Sequence, residues 1–136
     1  MSMKLFQVGV KGVIQDERGV LLLKTNQERG SRWEFPGGRI DGNETLEDTI
    51  RRELAEELPG SELRTVMKTL GVHRLQRDIL EDVSLILVFL LVEATLPDQI
   101  ILSDEHVSHM WVSSLADVPE GLNTENERIL RALLPG

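Results

Sequence analysis

The chain contains no cysteine, and only five of its 136 residues are aromatic. Without cysteine, neither a disulfide bond nor a zinc site with cysteine ligands can form. Nothing in the composition therefore points to an oxidising compartment, and we expect a cytoplasmic protein.

Positive charge is also scarce, because 15 lysines and arginines face 23 aspartates and glutamates, for a formal net charge of −8. A general nucleic-acid surface needs clustered basic side chains, so we expect no stable binding of nucleic acid. A small nucleotide substrate is not excluded, since bound cations can invert the local field.

Long hydrophobic runs are missing as well. The longest, Leu85 to Val92, is too short to span a bilayer, and the opening MSMKLFQVGV lacks the apolar core of a signal peptide. We therefore expect no membrane association. With 40% hydrophobic residues, the chain is long enough for one domain, residues 1–136, with a core of its own.

The most informative stretch is Gly37 to Gly60, GGRIDGNETLEDTIRRELAEELPG. Aliphatic residues recur at every fourth position from Leu46 to Leu58, which predicts a helix over those residues. Gly42 to Thr45 supply a turn and a cap before it, and Pro59-Gly60 ends it.

Three glutamates, Glu53, Glu56 and Glu57, fall on one arc of this helix beside its apolar stripe. Like charges so placed repel, which favours a hard divalent cation such as Mg²⁺ among them. The alternative is a solvated acidic face that only confers solubility. The preceding Trp33 to Gly38 favours a site, because its two glycines let bare backbone approach the same carboxylates.

The segment resembles the Nudix box, G-x5-E-x7-R-E-U-x-E-E-x-G-U, in which U is aliphatic. The matching residues are Gly38, Glu44, Arg52, Glu53, Leu54, Glu56 and Glu57. Pro59 and Gly60 depart from the last two positions, and we expect Gly60 to take the left-handed conformation that ends the helix.

The resemblance implies a Nudix fold of the α/β class and hydrolysis of a nucleoside diphosphate linked to another moiety. It implies that Mg²⁺, with Mn²⁺ as a substitute, is held by Glu53, Glu56, Glu57 and the carbonyl of Gly37. Arg52 would orient Glu53 through a charge-assisted hydrogen bond, and Glu44 would brace the start of the helix. Dimers are frequent among members of the family.

The general base is either Glu53 or Glu105, since a carboxylate that holds the metal tightly is a poor base. Glu105 belongs to a polar loop, residues 94–108, before a strand at His109 to Val112. An acidic loop exposed to water is the alternative reading of that segment. We expect the neighbouring His106 and His109 to be structural.

The substrate follows less directly from the sequence. Trp33 to Gly38 and a late asparagine resemble the MutT-like branch, which releases a nucleoside monophosphate and pyrophosphate from a triphosphate, oxidised dGTP being one candidate. The resemblance implies that Asn126 reads a purine edge, whereas helix capping is favoured for Asn123. The predicted substrate contacts are Lys24, Glu34, Phe35, Gly38 and Asn126.

Other short members of the family cleave ADP-ribose, dinucleoside polyphosphates, pterin triphosphates or sugar nucleotides, and the box does not separate these substrates. A nucleotide-binding module that does not cut is a further alternative, although all three box glutamates are present. A structural protein with an acidic helix would require the whole motif to be coincidental.

Hydrophobic patterns predict a mixed sheet between helices. Strands are expected at residues 6–11, 20–24, 63–72 and 83–92, the last one central and covered on both faces. Residues 73–78 are expected to form a solvent loop, in which His73 is a base or phosphate contact or, alternatively, neither. Ser113 to Pro119 predicts a short helical turn capped by serine, and Thr124 to Leu134 predicts a final helix.

Overall fold

The computed structural model describes residues 3–136, in which seven strands and two α-helices follow one another along the chain. The strands are β1 (Leu5–Asp16), β2 (Gly19–Thr25), β3 (Trp33–Glu34), β4 (Gly37–Arg39), β5 (Glu62–Leu80), β6 (Val83–Thr95) and β7 (His106–Val112). The helices are α1 (Leu46–Glu57) and α2 (Thr124–Leu133), and a short 3₁₀ helix spans Leu115–Asp117.

The sheet is mixed and is arranged in the order β3-β2-β1-β6-β5. β1 pairs with β6 in parallel over ten residues, from Leu5 opposite Val83 to Ile14 opposite Val92, whereas the other pairings are antiparallel. β6 therefore has a neighbour on each side and is largely buried, as the apolar run at 83–92 predicts.

The two helices cover different faces of the sheet. Ile50 and Leu54 of α1 pack in one cluster of buried residues, while Ile129 and Leu130 of α2 pack in a second. The predicted α/β fold, a mixed sheet between helices, is confirmed. Neither helix within residues 3–136 has the length and apolar character needed to cross a membrane.

α1 begins and ends by the chemistry that the sequence predicts. Thr45 is the N-cap, and it exchanges reciprocal hydrogen bonds with Asp48 in a capping box. The helix stops before Pro59, and Gly60 has a φ of +87°. The prediction that Gly60 takes the left-handed conformation is confirmed.

β5 corrects one expectation, because residues 73–78 continue the strand instead of forming a loop. Arg74 pairs with Ile86 and Asp78 with Ser84 across the sheet, through several register shifts. β5 has only β6 as a neighbour, so its solvent side accepts the polar residues that suggest a loop in the sequence.

Two smaller expectations also change. Ser114 precedes the 3₁₀ helix but makes no capping hydrogen bond to the backbone, since its hydroxyl donates to the Asp117 side chain at 3.2 Å. β7 begins at His106, three residues before the predicted start, because Thr25 at the end of β2 pairs with His106.

Candidate active site

A cavity of about 1030 Å³ opens where β1, β4 and α1 meet the start of α2. It collects most of the side chains that the sequence singles out. The predicted site residues that line it are Glu34, Gly37, Gly38, Arg52, Glu53, Glu105 and Asn126.

The two glycines of β4, Gly37 and Gly38, belong to the lining of this cavity. Gly37 lies opposite Lys11 of β1 and has a φ of +149°, and an added Cβ would overlap the Val10 carbonyl. A Cβ on Gly38 would instead overlap the carboxylate of Glu53. The absence of side chains at both positions therefore lets the strand and the acidic face of α1 touch.

Arg52 of α1 links several residues of the segment 38–57 through hydrogen bonds. Its guanidinium donates to both oxygens of Glu44, at 2.7 and 2.9 Å, and to Oε1 of Glu53 at 2.7 Å. It also donates to the carbonyl of Arg39 at 3.1 Å. The hydrogen bonds from Arg52 hold the pKa of Glu44 down at about 2. Arg52 thus fixes the orientation of Glu53 relative to the turn that precedes α1.

Glu57 is the buried carboxyl of the site, with only 3% of its surface exposed. Its Oε1 accepts a hydrogen bond from the Gly37 amide at 3.1 Å. Burial raises the pKa of Glu57 to about 8, although attraction by Lys11 and the bond from Gly37 oppose the increase. In the protein alone, burial therefore favours the protonated, uncharged form of this carboxyl near neutral pH.

Carboxylate oxygens of this kind fit a divalent cation. Glu53 lies against Gly38 of β4 and Glu57 is hydrogen-bonded to Gly37, and within residues 3–136 no basic side chain forms an ion pair with Glu57. A hard cation would compensate this buried charge with the oxygen ligands it prefers. Glu56 is exposed, and no three acidic or imidazole side chains of the described residues already converge on one point.

Lys11 is a site residue that the sequence reasoning missed. Its ammonium donates to the Phe35 carbonyl at 3.2 Å and lies 3.4 Å from Oε1 of Glu34, whose Oε2 is 2.9 Å from Nε2 of His106. Burial favours a higher pKa for Glu34, but Lys11 and His106 outweigh it and lower the pKa to about 2. The period-two pattern of β1, which places Lys11 on the same face as Gln7 and Gly9, is the signal that could have found it.

Two further predicted residues lie at the wall of the cavity. Glu105 is about half exposed and pairs with Arg29 at 3.2 Å. Asn126 is 2% exposed, and its Oδ1 has no hydrogen-bond partner among the described residues. Asn123 accepts from the Asn126 amide at 2.8 Å, so its predicted capping role is confirmed.

The structure places Lys24 and Phe35 away from the cavity. Lys24 sits in β2 between β3 and β7, opposite Trp33 and Ser108. Phe35 is fully buried and meets Phe89 edge to face, with ring centroids 5.9 Å apart, so it belongs to the core. Phe6 and Trp33 are the aromatic residues that line the cavity.

Comparison with known protein families gives a match to the NUDIX domain over residues 5–133. The 8-oxo-dGTP diphosphatase of Haemophilus influenzae is 39% identical over 61 residues, which are 43% of this chain and 44% of that protein. The RNA pyrophosphohydrolase of Coxiella burnetii is 40% identical over 53 residues, 39% of this chain and 23% of that protein. The chain thus spans less than half the length of these curated relatives.

Solved structures resemble the chain over almost its whole length. The MutT protein of Methanosarcina mazei Go1 has a TM-score of 0.76 at 22% identity, covering 97% of this chain and 95% of that one. The MutT NUDIX hydrolase of Burkholderia pseudomallei has a TM-score of 0.78 at 24% identity, covering 96% and 99%. At these identities the likeness shows the shared fold.

The two glycines of β4 should respond differently to alanine. Gly37→Ala forces a Cβ against the backbone at a strained φ, so we expect a loss of about 2 kcal/mol or more in the free energy of unfolding. Gly38→Ala meets only the carboxylate end of the Glu53 side chain, which can shift more easily than backbone, so we expect a smaller loss. Urea unfolding measures both, and equal losses would contradict the distinction.

The raised pKa of Glu57 predicts a pH dependence of stability. The folded chain keeps a proton on Glu57 up to about pH 8, whereas the unfolded chain releases it near its ordinary value. The free energy of unfolding without metal should therefore fall as the pH rises between these values. Glu57→Gln should remove the part of this pH dependence that Glu57 causes, while the neighbouring charged groups Lys11, Glu34 and Glu53 remain. Urea unfolding in EDTA from pH 5 to pH 8 tests it, and identical slopes would contradict it.

Proposed function

The chain belongs to the NUDIX domain family, and from that premise we propose that it hydrolyses a nucleoside triphosphate to a nucleoside monophosphate and pyrophosphate. The observation that carries the proposal is that two carboxylates contact the glycines of β4 beside a large cavity. Glu53, which lines the cavity, lies against Gly38, and the buried Glu57 accepts a hydrogen bond from Gly37. A cavity of this size accommodates a nucleotide.

The cation that fits this donor set is Mg²⁺, with Mn²⁺ as a substitute. Glu53, Glu56 and Glu57 would hold it, with the carbonyl of Gly37 as a further ligand. When bound, the ion neutralises the polyphosphate and lowers the pKa of the attacking water. The side chain of Glu56 is exposed, so it can turn towards Glu53 and Glu57 without breaking buried contacts.

We assign the general base to Glu105. Glu53 is a proposed cation ligand held by Arg52 at 2.7 Å, and a carboxylate fixed as a ligand is a poor base. Glu105 lies half exposed at the cavity wall, and its ion pair with Arg29 at 3.2 Å is open to solvent. Glu105 accepts a proton from water as the water oxygen bonds to phosphorus. The bridging phosphorus–oxygen bond then breaks, and the pyrophosphate group leaves.

The proposed substrate is a purine nucleotide, with oxidised dGTP as the first candidate. Asn126 supports this choice because its side-chain oxygen is buried without a partner at the cavity wall, so a base edge with a hydrogen-bond donor would satisfy it. The name of the Haemophilus influenzae relative agrees with this substrate. Glu34 and Gly38 also line the cavity and stay proposed substrate contacts.

The proposal is tested by a Mg²⁺-dependent hydrolysis screen with products identified by mass. The panel contains dNTPs, 8-oxo-dGTP, ADP-ribose, diadenosine polyphosphates and sugar nucleotides. We expect monophosphate and pyrophosphate from a purine triphosphate. Two monophosphates from ADP-ribose alone would move the chain to a different substrate class. Binding of a nucleotide without any cleavage would make it a binding module.

Three variants separate the roles within the same assay. Glu57→Gln preserves shape and removes charge, so we expect it to abolish both turnover and the rise in melting temperature caused by Mg²⁺. Glu105→Gln should lower kcat by about 10²-fold or more while the effect of Mg²⁺ on melting persists. Glu17→Gln, at an exposed turn away from the cavity, is the matched control. Unchanged Mg²⁺-dependent turnover in Glu57→Gln would overturn the metal assignment.

A further inference from the structure

A second groove of about 650 Å³ lies between β5 and the first turn of α2. It adjoins the cavity described above, since Arg32, Leu75, Arg77 and Asn123 line both. Its charged lining consists of the arginines 32, 74, 77 and 128 and a single carboxylate, Glu125. This is a strongly basic surface in a chain whose formal net charge is −8.

These four arginines differ from the ion-paired arginines elsewhere in the protein. Arginines 18, 29, 51, 52 and 131 each contact a carboxylate, at 2.6–3.3 Å. Within residues 3–136, no carboxylate forms an ion pair with any of the four arginines of the groove. Like charges that line one groove repel one another, so an anion bound among them would relieve an unfavourable arrangement.

Two of the four are held in place by planar neighbours. His73 packs against Phe89, with ring centroids 5.7 Å apart, and its Nδ1 lies 3.3 Å from Nη1 of Arg128. Because arginine only donates, Nδ1 of His73 is the acceptor in this contact. The guanidinium of Arg74 lies 5.1 Å from the ring centroid of Phe6. Their remaining N–H groups stay available for a ligand.

The chemistry of this surface matches a phosphate group. A guanidinium presents parallel N–H donors that fit phosphate oxygens in pairs, and several together recognise a dianion better than any neutral ligand. Asn123 and Arg77 connect the groove to the part of the cavity lined by Asn126, where the purine base is placed under the proposed function. A phosphate on the 3′ oxygen of the sugar, which is bonded to this base, would thus enter the groove.

We propose that this groove binds a second phosphate group of the substrate, separated by the nucleoside from the phosphates that are hydrolysed. The proposal rests on the proposed function for the position of the nucleoside. A terminal 3′-phosphate and the first phosphodiester of an oligonucleotide with a 5′-polyphosphate offer the same chemistry to the arginines. Arg74 and Arg128 belong to the groove alone and therefore report on it.

The test is calorimetric binding of three nucleotides that need no hydrolysis, in the presence of Mg²⁺. They are guanosine 5′-monophosphate, guanosine 3′,5′-bisphosphate and the 5′-phosphorylated dinucleotide pGpG. We expect the bisphosphate to bind about tenfold more tightly than the monophosphate, the gain expected for one charge-assisted contact. Equal tightening by pGpG shows that a phosphodiester suffices, and tightening by the bisphosphate alone shows that the phosphate must be terminal.

Paired variants decide whether the groove is responsible. The double variant Arg74→Gln/Arg128→Gln should reduce the preference to less than about twofold, which is within the variation of a surface substitution. Arg64→Gln, at an exposed arginine of β5 outside both cavities, should retain it. Equal affinities in the unmodified protein, a preference that survives in the double variant, or no binding of any nucleotide would overturn the proposal.

These outcomes are separable from the hydrolysis screen. A bisphosphate preference that depends on the arginines, without cleavage of any triphosphate, would leave the groove in place and remove the proposed reaction. Cleavage of a triphosphate without any preference for the bisphosphate would support the proposed reaction and remove the phosphate-binding role of the groove.

Discussion

The contact between the carboxyl of Glu57 and the amide of Gly37 fixes how the helix and the strand of the site meet. It joins the end of α1 to the start of β4 at 3.1 Å, inside the protein. A side chain at Gly37 would collide with β1, and one at Gly38 would collide with Glu53. The close approach therefore depends on two positions without side chains, and it leaves a carboxyl buried without an ion pair among the described residues.

The carboxylates around Glu57 differ from it, because basic side chains compensate their charges. Arg52 binds Glu44 and Glu53 together, while Lys11 and His106 bind Glu34, so these neighbouring carboxylates are compensated. Glu57 receives only partial compensation from Lys11 and Gly37. Members of the family to which the chain belongs generally use a divalent cation, and a cation bound beside Glu57 would supply the missing compensation. The four groove arginines have no ion pair among the described residues, so the groove beside the site adds a strongly basic surface to it.

Much of this architecture could be predicted from the chain alone, because local chemistry determines it. The cap at Thr45, the left-handed Gly60 and the apolar run of β6 each leave a sequence signature that needs no tertiary information. The prediction of a loop at residues 73–78 was wrong. The polar sequence of this second half of β5 does not suggest a strand, but pairing with β6 overrides that local preference.

Contacts between distant residues were the least predictable part of the site. Lys11 lies in an ordinary-looking strand, and only the pairing of β1 with β4 brings it beside Glu34. Phe35 is a predicted substrate contact, but its position beside Phe89 places it in the core. The four groove arginines come from three segments of the chain, and the first and last of them, Arg32 and Arg128, are 96 positions apart. No local sequence pattern therefore predicts the groove.

The central claim is that a divalent cation binds between the two glycines of β4 and three glutamates of α1, namely Glu53, Glu56 and Glu57. Paramagnetic broadening of backbone amide signals by Mn²⁺, added in substoichiometric amounts, tests it most directly. We expect the signals of Gly37, Gly38 and residues 53–57 to broaden first, while those of residues 64–69 in β5 stay sharp. Selective broadening at a different part of the chain, or the same pattern in the Glu57→Gln variant, would contradict the claim.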